Sequence, residues 1–269
     1  MKQKYMNVNW EGADYHGFPI PSGQHYDSQE EAAGWSEFEL VLAAAKRGDF
    51  SGVKRLLAIY DDADWLLGSA CAGLMGEIGN GLFFDELRLV VTSVLEPTYS
   101  VDLGRCLAMW GHLSVVPTLL DTLEKIAVFD DATGLLEMLS VMLEPEPGEL
   151  GDFDELKDIE AYSTKVLKHV DAIASRLGTV DAIVMFGDLF SVDKLVGVIR
   201  KRLTDRVLFD PYLRHKFEAT TGVDCSGFYE DGSLQPLQAL AILEEFEDRV
   251  GAKRYEPGRR YFFGHPVPD

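Results

Sequence analysis

Apolar residues recur at the three- and four-residue spacing of amphipathic helices along most of the chain. The first such face contains Leu40, Val41 and Ala44. Ser36, followed three residues later by Glu39, matches the capping box that opens many helices. The pattern therefore predicts an all-α protein whose first helix begins at Ser36.

Five segments share one arrangement, in which a helix ends at a glycine, a short polar turn follows, and a second amphipathic helix begins. The glycine provides the left-handed residue that ends a helix, and a single helix pair cannot bury its apolar face without stacking on a neighbour. Intervals of 31, 32, 40 and 36 residues separate the five glycines, which are Gly48, Gly79, Gly111, Gly151 and Gly187. These intervals predict an α-solenoid of two-helix repeats. The alternative is an irregular all-α globule with ordinary helix caps.

The helical pattern divides the chain into three regions that together form one structural domain. Residues 1–35 lack helical period and predict a loop-rich N-terminal arm, whose aromatic residues we expect to pack on the chain itself. Residues 36–203 carry the repeats, although prolines and glycines in 144–155 interrupt them. Residues 204–269 predict a C-terminal cap in which 236–250 is helical.

Composition and charge narrow the classes of function. Apolar residues make up 46% of the 269-residue chain, which is enough for a sizeable core. The net charge of -20 repels nucleic-acid phosphates and anionic lipids and attracts cationic partners. The chain has no apolar run of about 18 residues and no apolar segment near its start that would predict a secretory signal. We expect no nucleic-acid or membrane partner.

The three cysteines predict a reducing compartment, because they are widely spaced and form no CxxC pair. Cys71 and Cys106 each lie in an apolar helical stretch and are expected to be buried. Cys225 lies in a loop flanked by glycines and is the one candidate for a reactive thiol. We therefore expect a cytoplasmic protein.

Sequence patterns of catalytic and metal sites are missing from the chain. No GxSxG and no glycine-rich phosphate loop occurs. The six histidines are scattered, with none four residues from another and none followed by glutamate. We expect no catalytic residue, cofactor or metal ion.

Carboxylates concentrate between Asp121 and Glu160, where Lys125 and Lys157 are the only opposing charges. A charge run of this kind is either a solvated face or a docking patch for a basic partner, and both interpretations stay open. The candidate partner-binding residues in this run are Asp130, Asp131, Glu146, Glu149, Asp152 and Asp154.

The turn in each predicted repeat resembles that of HEAT-type repeats. The best match runs from Leu103 to Leu120, with a helix of small residues, a glycine turn, and then Val-Val-Pro-x-Leu-Leu. The resemblance covers residues 36–203 and implies a HEAT-like α-solenoid. Ankyrin repeats are the nearest rival, but the chain contains no Thr-Pro-Leu-His segment.

A strongly acidic helical chain of modest length, without catalytic motifs, looks like the immunity proteins of bacterial polymorphic-toxin systems. The aromatic tail from Arg259 to Pro266 adds to this likeness. The resemblance implies a protein, monomeric when free, that binds a cognate toxin domain and occludes its active site. Two other classes stay open, a scaffold or adaptor for another protein and a helical-repeat enzyme such as a chromophore lyase.

Overall fold

Helices account for most of the described chain, which confirms the all-α prediction at that level. The computed structural model describes Tyr15 and residues 29–63, 65–79, 81, 84–93, 97–126, 133–145, 150, 158–205 and 209–268. Over these ranges, none of the helices has both the length and the apolar character that crossing a membrane requires.

The secondary structure of the described residues includes eleven α-helices, three short antiparallel hairpins, and three-residue 3-10 helices at Leu113–Val115, Ser226–Phe228 and Ala252–Arg254. The helices are α1 (Gln29–Ala45), α2 (Arg55–Asp62), α3 (Trp65–Ile78), α4 (Phe84–Ser93), α5 (Pro97–Trp110), α6 (Val116–Ile126), α7 (Thr133–Leu143), α8 (Ile159–Leu177), α9 (Val192–Asp205), α10 (Pro211–Thr221) and α11 (Pro236–Arg249). The strands are β1 (Val184–Met185), β2 (Asp188–Leu189), β3 (Tyr229–Glu230), β4 (Ser233–Leu234), β5 (Tyr261–Phe262) and β6 (His265–Pro266).

The chain divides into two compact units that interleave in sequence. The first unit contains Met1–Leu74, Ser191–Glu256 and Tyr261–Val267. The second unit contains Met75–Phe190, Pro257–Arg260 and Pro268–Asp269. Residues 257–260 therefore belong to the second unit, and the chain returns to the first unit at Tyr261.

The second unit is built around α5, which packs against α4, α6 and α7, while α6 also packs on α8. Gly104 of α5 faces two of these neighbours, since a Cβ there would make ordinary van der Waals contacts at 3.4 Å from Thr122 Cγ2 and 3.5 Å from Leu135 Cδ2. The inner face of α6 is apolar and buried, through Val116, Leu119, Leu120, Leu123 and Ile126. Burial of such faces drives the packing of these helices.

The first unit has α10 at its centre. Every residue from 213 to 220 is buried, so this helix presents no face to water. It packs against α9 and strand β5, and the ring of Phe217 meets that of Phe246 edge-on at 5.1 Å. Asp210 caps its first turn by accepting from the backbone N–H of Tyr212 at 2.9 Å, and Gly222 ends it with φ of 73°.

The three hairpins have the same two-residue turn. Both turn residues have positive φ in each case, the pairs being Phe186–Gly187, Asp231–Gly232 and Phe263–Gly264. Positive φ at both positions defines the type I′ turn, which suits Asp-Gly and strains a bulky first residue. Phe186 accepts that strain with its ring buried to 3% exposure, because the ring is part of the core of its unit.

The first predicted helix start is wrong. Helix α1 begins at Gln29, so Ser36 and Glu39 lie within the helix and do not form a capping box. The preceding Gln29-Glu30-Glu31-Ala32-Ala33 consists of strong helix formers, which continue the helix through the serine. Helical propensity over a whole turn outweighs one local capping signal.

Three of the five marker glycines behave as predicted. Gly48, Gly79 and Gly111 follow α1, α3 and α5 and have φ of 82°, 57° and 71°. Gly151 lies outside the described residues.

The prediction for Gly187 is wrong, because this residue occupies the turn between β1 and β2 and does not end a helix. Helix α8, the helix before this turn, ends at Gly178, with φ of 77°. A helix end and a type I′ turn both require a left-handed residue, so glycine alone does not distinguish them.

The C-terminal region contains the predicted helix, since α11 covers Pro236–Arg249. It also contains two hairpins and the buried helix α10, none of which has a long amphipathic pattern in the sequence. The hairpins escape a search for helical period because their strands are two residues long.

Alanine substitution of two left-handed glycines in the second unit separates backbone strain from steric clash. At Gly178 an added Cβ meets nothing within 4 Å, whereas at Gly187 it would lie 2.6 Å from the carbonyl oxygen of Leu143. We expect Gly178→Ala to lower the free energy of unfolding by about 1 kcal/mol from the left-handed conformation alone. Gly187→Ala should cost roughly 2–3 kcal/mol, because the turn must also shift. Urea unfolding measures both, and equal losses would contradict the clash.

Candidate functional site

The predicted acidic patch cannot be placed on the structure. All six candidate residues, Asp130, Asp131, Glu146, Glu149, Asp152 and Asp154, lie outside the described residues. Glu144, in the same run, is 2% exposed and accepts hydrogen bonds from the Ser140 hydroxyl and the backbone N–H of Leu150. Asp158 accepts from the N–H of Ala161 as the N-cap of α8. At least these two carboxylates of the run serve the fold.

All three thiols are buried. The prediction is confirmed for Cys71 and Cys106, and burial raises the pKa of both thiols far above its usual range. Cys225, the candidate reactive thiol, is also buried, and its Sγ contacts the carbonyl oxygen of Val223 at 3.5 Å. Burial keeps a thiol away from soluble reagents, so Cys225 is placed as a core residue.

The described histidines lie in unrelated environments. His112 Nδ1 is 2.9 Å from the Ser114 hydroxyl, His169 Nε2 is 2.9 Å from the carbonyl oxygen of Leu143, and His215 is buried in α10. Within the described part of the chain, no three His, Cys, Asp or Glu side chains converge in a way that could hold a metal ion.

Arg260 forms the densest polar contact in the second unit. Its buried guanidinium donates to the carbonyl oxygens of Gly76, Glu77 and Ile78, at 2.7, 2.8 and 3.1 Å, in the last turn of α3. It also donates to the carbonyl oxygens of Met109, at 3.3 Å, and Trp110, in the last turn of α5. One side chain therefore closes the C-terminal ends of two helices, where unpaired carbonyls and the negative end of the helix dipole favour a cation.

The surroundings of Arg260 are shaped to admit it. A Cβ at Gly79 would lie 2.1 Å from the guanidinium carbon, so any larger residue there displaces the arginine. The indole N–H of Trp110 donates to the carbonyl oxygen of Met75 at 2.8 Å and ties the two helix ends together. The acceptors of these Arg260 hydrogen bonds are all main-chain oxygens.

A second buried polar cluster lies within the first unit, around α10. Arg214 and Glu218, one helical turn apart, approach to 3.7 Å with side-chain exposures of 8% and 0%. Arg214 also donates from Nε to the carbonyl oxygen of Cys225 at 3.1 Å and lies 5.7 Å from the ring centre of Tyr229. This arginine fixes the loop and hairpin that follow α10.

Tyr15, from the predicted N-terminal arm, is 2% exposed in the first unit. Its ring stacks on His215 at 4.8 Å and meets the rings of Phe262 and Phe263 edge-on at 5.6 and 5.8 Å. Lys46 donates to the carbonyl oxygen of Tyr15 and lies 5.0 Å from the ring centre of Phe263. For this residue, the expectation that arm aromatics pack on the chain itself is confirmed.

Two ion pairs on the described surface join arginines of α9 and α11 to glutamates of α11. Arg200 of α9 pairs with Glu247, and Arg249 pairs with Glu245 at 2.6 Å. These partners are all 40% exposed or more, so the pairs contribute little to stability. These surface arginines contrast with Arg214 and Arg260, which are both buried.

Comparison of the chain with protein-family models, with curated proteins and with solved structures finds no match. The candidate functions therefore rest on the physical chemistry of the described residues.

Sequence reasoning missed the role of Arg260 and the buried polar residues of α10. The tail around Arg260 is conspicuous for its basic and aromatic composition. The neighbouring sequence, however, does not indicate that this arginine binds main-chain oxygens more than 150 residues away. For α10, a helix with a buried charge cluster has no amphipathic pattern for periodicity to detect.

Substitution of Arg260 tests the closure of the two helix ends. We expect Arg260→Met to lower the free energy of unfolding by about 3–5 kcal/mol, because buried carbonyls lose their donors. Arg260→Lys keeps the charge but cannot reproduce the planar fork, so it should lie between the wild type and the methionine variant. Chemical denaturation measures the losses, with Arg259→Lys as the neighbouring control. A methionine variant as stable as the wild type would refute the closure.

The stability of the second unit should depend on His112 at mildly acidic pH. Burial lowers the pKa of His112 from its usual value of 6.5, Asp181 opposes the shift, and Arg260 adds to it. Because the folded state disfavours the proton, the unfolded chain binds it first as the pH falls below 6.5. The free energy of unfolding should therefore drop from that pH towards the folded pKa. His112→Asn, measured by urea unfolding at pH 7.5 and 5.5, should show a smaller drop than the wild type.

Proposed function

We propose that this chain is an immunity protein, which binds a cognate basic toxin domain and neutralises it by covering the active site of the toxin. The observation that carries the proposal is the surplus of carboxylates on the exterior of a helical protein with a net charge of -20. In the described residues that surplus includes exposed acids on α4, α6, α8 and α11. Toxin domains that act on nucleic acids tend to be cationic, because their substrates are anionic.

Charge of this kind suits a protein that must reach its target quickly. A negative surface accelerates the encounter with a basic partner and discourages association with nucleic acids. An immunity protein has to capture the toxin before the toxin finds its substrate, so a fast association rate has direct value.

The buried contacts that fix each unit internally also support a role as an immunity protein. The carbonyl network of Arg260 and the aromatic contacts of Tyr15 fix each unit internally. A surface that is rigid before binding loses little conformational entropy when it docks. Tight inhibition by a preformed surface needs no chemistry from the inhibitor.

We also propose the finer architecture that the sequence indicates, a solenoid of two-helix repeats. Its support is the left-handed glycine after α3 and again after α5, 32 residues apart, together with the neighbour packing of α4 to α7. The proposed site of action is the cytoplasm, which suits three buried thiols that form no disulfide.

Co-expression tests the proposed function. The probe is the domain encoded beside the gene for this chain, produced in a sensitive bacterial strain with and without the chain. We expect growth arrest by that domain alone and full growth when the chain is present. The purified proteins should form a stoichiometric complex whose association rate falls roughly tenfold or more as salt rises, because charge steers the encounter. Growth arrest that the chain does not relieve would reject the proposal.

A further inference from the structure

Leu237, in the first turn of α11, exposes 83% of its surface, more than any other large apolar side chain in the described residues. The helix face that contains it continues through Ala241, Glu244 and Asp248, at successive helical spacings. All four residues are exposed. This face therefore combines an apolar anchor with carboxylates along one line.

The segment from Asp224 to Arg249 is strongly acidic and is described throughout. It contains one arginine and seven carboxylates, which are Asp224, Glu230, Asp231, Glu244, Glu245, Glu247 and Asp248. Arg249 and Arg200 are already paired with Glu245 and Glu247. Arg200 also interacts electrostatically with Glu244. Carboxylates still outnumber these cations on this surface, and a cationic partner would complement the excess.

The β3–β4 hairpin, immediately before α11, differs from the other two hairpins in what it presents. In the β1–β2 turn the first residue, Phe186, is buried, and in the β5–β6 turn Phe263 packs on Tyr15. In the β3–β4 turn the equivalent residue is Asp231, which is exposed together with Glu230. The same backbone that elsewhere inserts a ring into the core here holds carboxylates in water.

This hairpin is fixed in position. The ring of Tyr229 lies beside the buried guanidinium of Arg214, and the N–H of Gln235 donates to the carbonyl oxygen of Phe228 at 2.8 Å. Asp-Gly is the preferred sequence for its type I′ turn, so the exposed acids rest on an unstrained backbone. Because the backbone that carries these charges is already ordered, docking has to order only their side chains.

Two other helices expose a leucine to a similar degree, and both suit a basic partner less well. Leu40 of α1 is 70% exposed, but the exposed cation Arg47 lies in the turn directly after this helix. Leu89 of α4 is 69% exposed beside Asp85, but the adjacent Arg88 is exposed as well. Only α11 continues into an exposed acidic hairpin.

We infer that the β3–β4 hairpin and the exposed face of α11, named here the α11 surface, form the docking site for the toxin domain. The inference rests on the proposed function and adds the location and the chemistry of the partner. The face of the toxin that fits has lysine or arginine side chains around an apolar contact for Leu237. Basic residues of the toxin that would otherwise hold nucleic-acid phosphates meet Glu230, Glu244 and Asp248.

Charge reversal at the α11 surface is the first test. The variant carries Glu230→Lys, Glu244→Lys and Asp248→Lys, and Asp231 is kept because its left-handed position favours aspartate. A control with the same change in net charge reverses three exposed carboxylates of the second unit, Asp121, Glu124 and Asp171. The probe is the toxin domain from the co-expression assay, inactivated by substitution. We expect a rise in Kd of roughly 100-fold for the first variant and under tenfold for the control.

A charge-neutral substitution supports the same surface independently. Leu237→Ala should increase the dissociation rate roughly tenfold, because a central apolar contact is lost. Leu40→Ala and Leu89→Ala remove two other highly exposed leucines, at 70% and 69% exposure, and should leave the rate within about twofold. Thermal unfolding confirms that each variant is folded, which the exposure of all these side chains favours.

The outcomes separate the two proposals. If the wild-type chain binds and neutralises the toxin but both reversal variants weaken binding equally, the α11 surface is wrong and the immunity function stands. A stronger effect from the control set also overturns the α11 surface. If the wild-type chain neither binds nor neutralises the toxin, the proposed function fails first and the docking site fails with it.

Discussion

Buried carbonyl groups at helix ends need hydrogen-bond donors, and the second unit depends on meeting this need. The guanidinium of Arg260 provides the donors. Helices α3 and α5 both end inside this unit, where water cannot serve their last turns. Five carbonyl oxygens converge on one planar cation, and Gly79 leaves the space it needs. Such a network stabilises the unit and also fixes how the two helix ends lie relative to each other. The planar guanidinium has a fixed geometry and fits only one arrangement of the two ends.

Left-handed glycines explain both the success and the main error of sequence reasoning about the fold. Periodicity and glycine turns located α5, α6, α8 and α11 and the helix ends at Gly48, Gly79 and Gly111. The same reasoning misassigned Gly187, since a type I′ hairpin turn needs the same backbone as a helix end. The flanking residues contain little to separate the two cases, because strands of two residues have no alternation to read.

The proposed docking surface was harder to predict from the sequence than the fold. Net charge correctly pointed to an acidic exterior, but counting carboxylates cannot separate those that cap or close the fold from those that face water. Glu144 and Asp158 belong to the first kind, whereas Glu244 and Asp248 belong to the second. Buried contacts such as that of Tyr15 with His215 join residues 200 positions apart and have no local signature.

The order in which the chain is synthesised gives the interleaving of the two units a biological meaning. Residues 257–260 contribute to the second unit and 261–267 to the first, so both units need the same short segment. Domains in most chains fold one after another from the N-terminus. Here the carbonyls that Arg260 binds and the ring faces of Tyr15 that Phe262 and Phe263 cover stay open until this segment has been made. Neither unit can form all of its contacts before the ribosome has passed residue 267, which favours folding of the two units together over folding in succession.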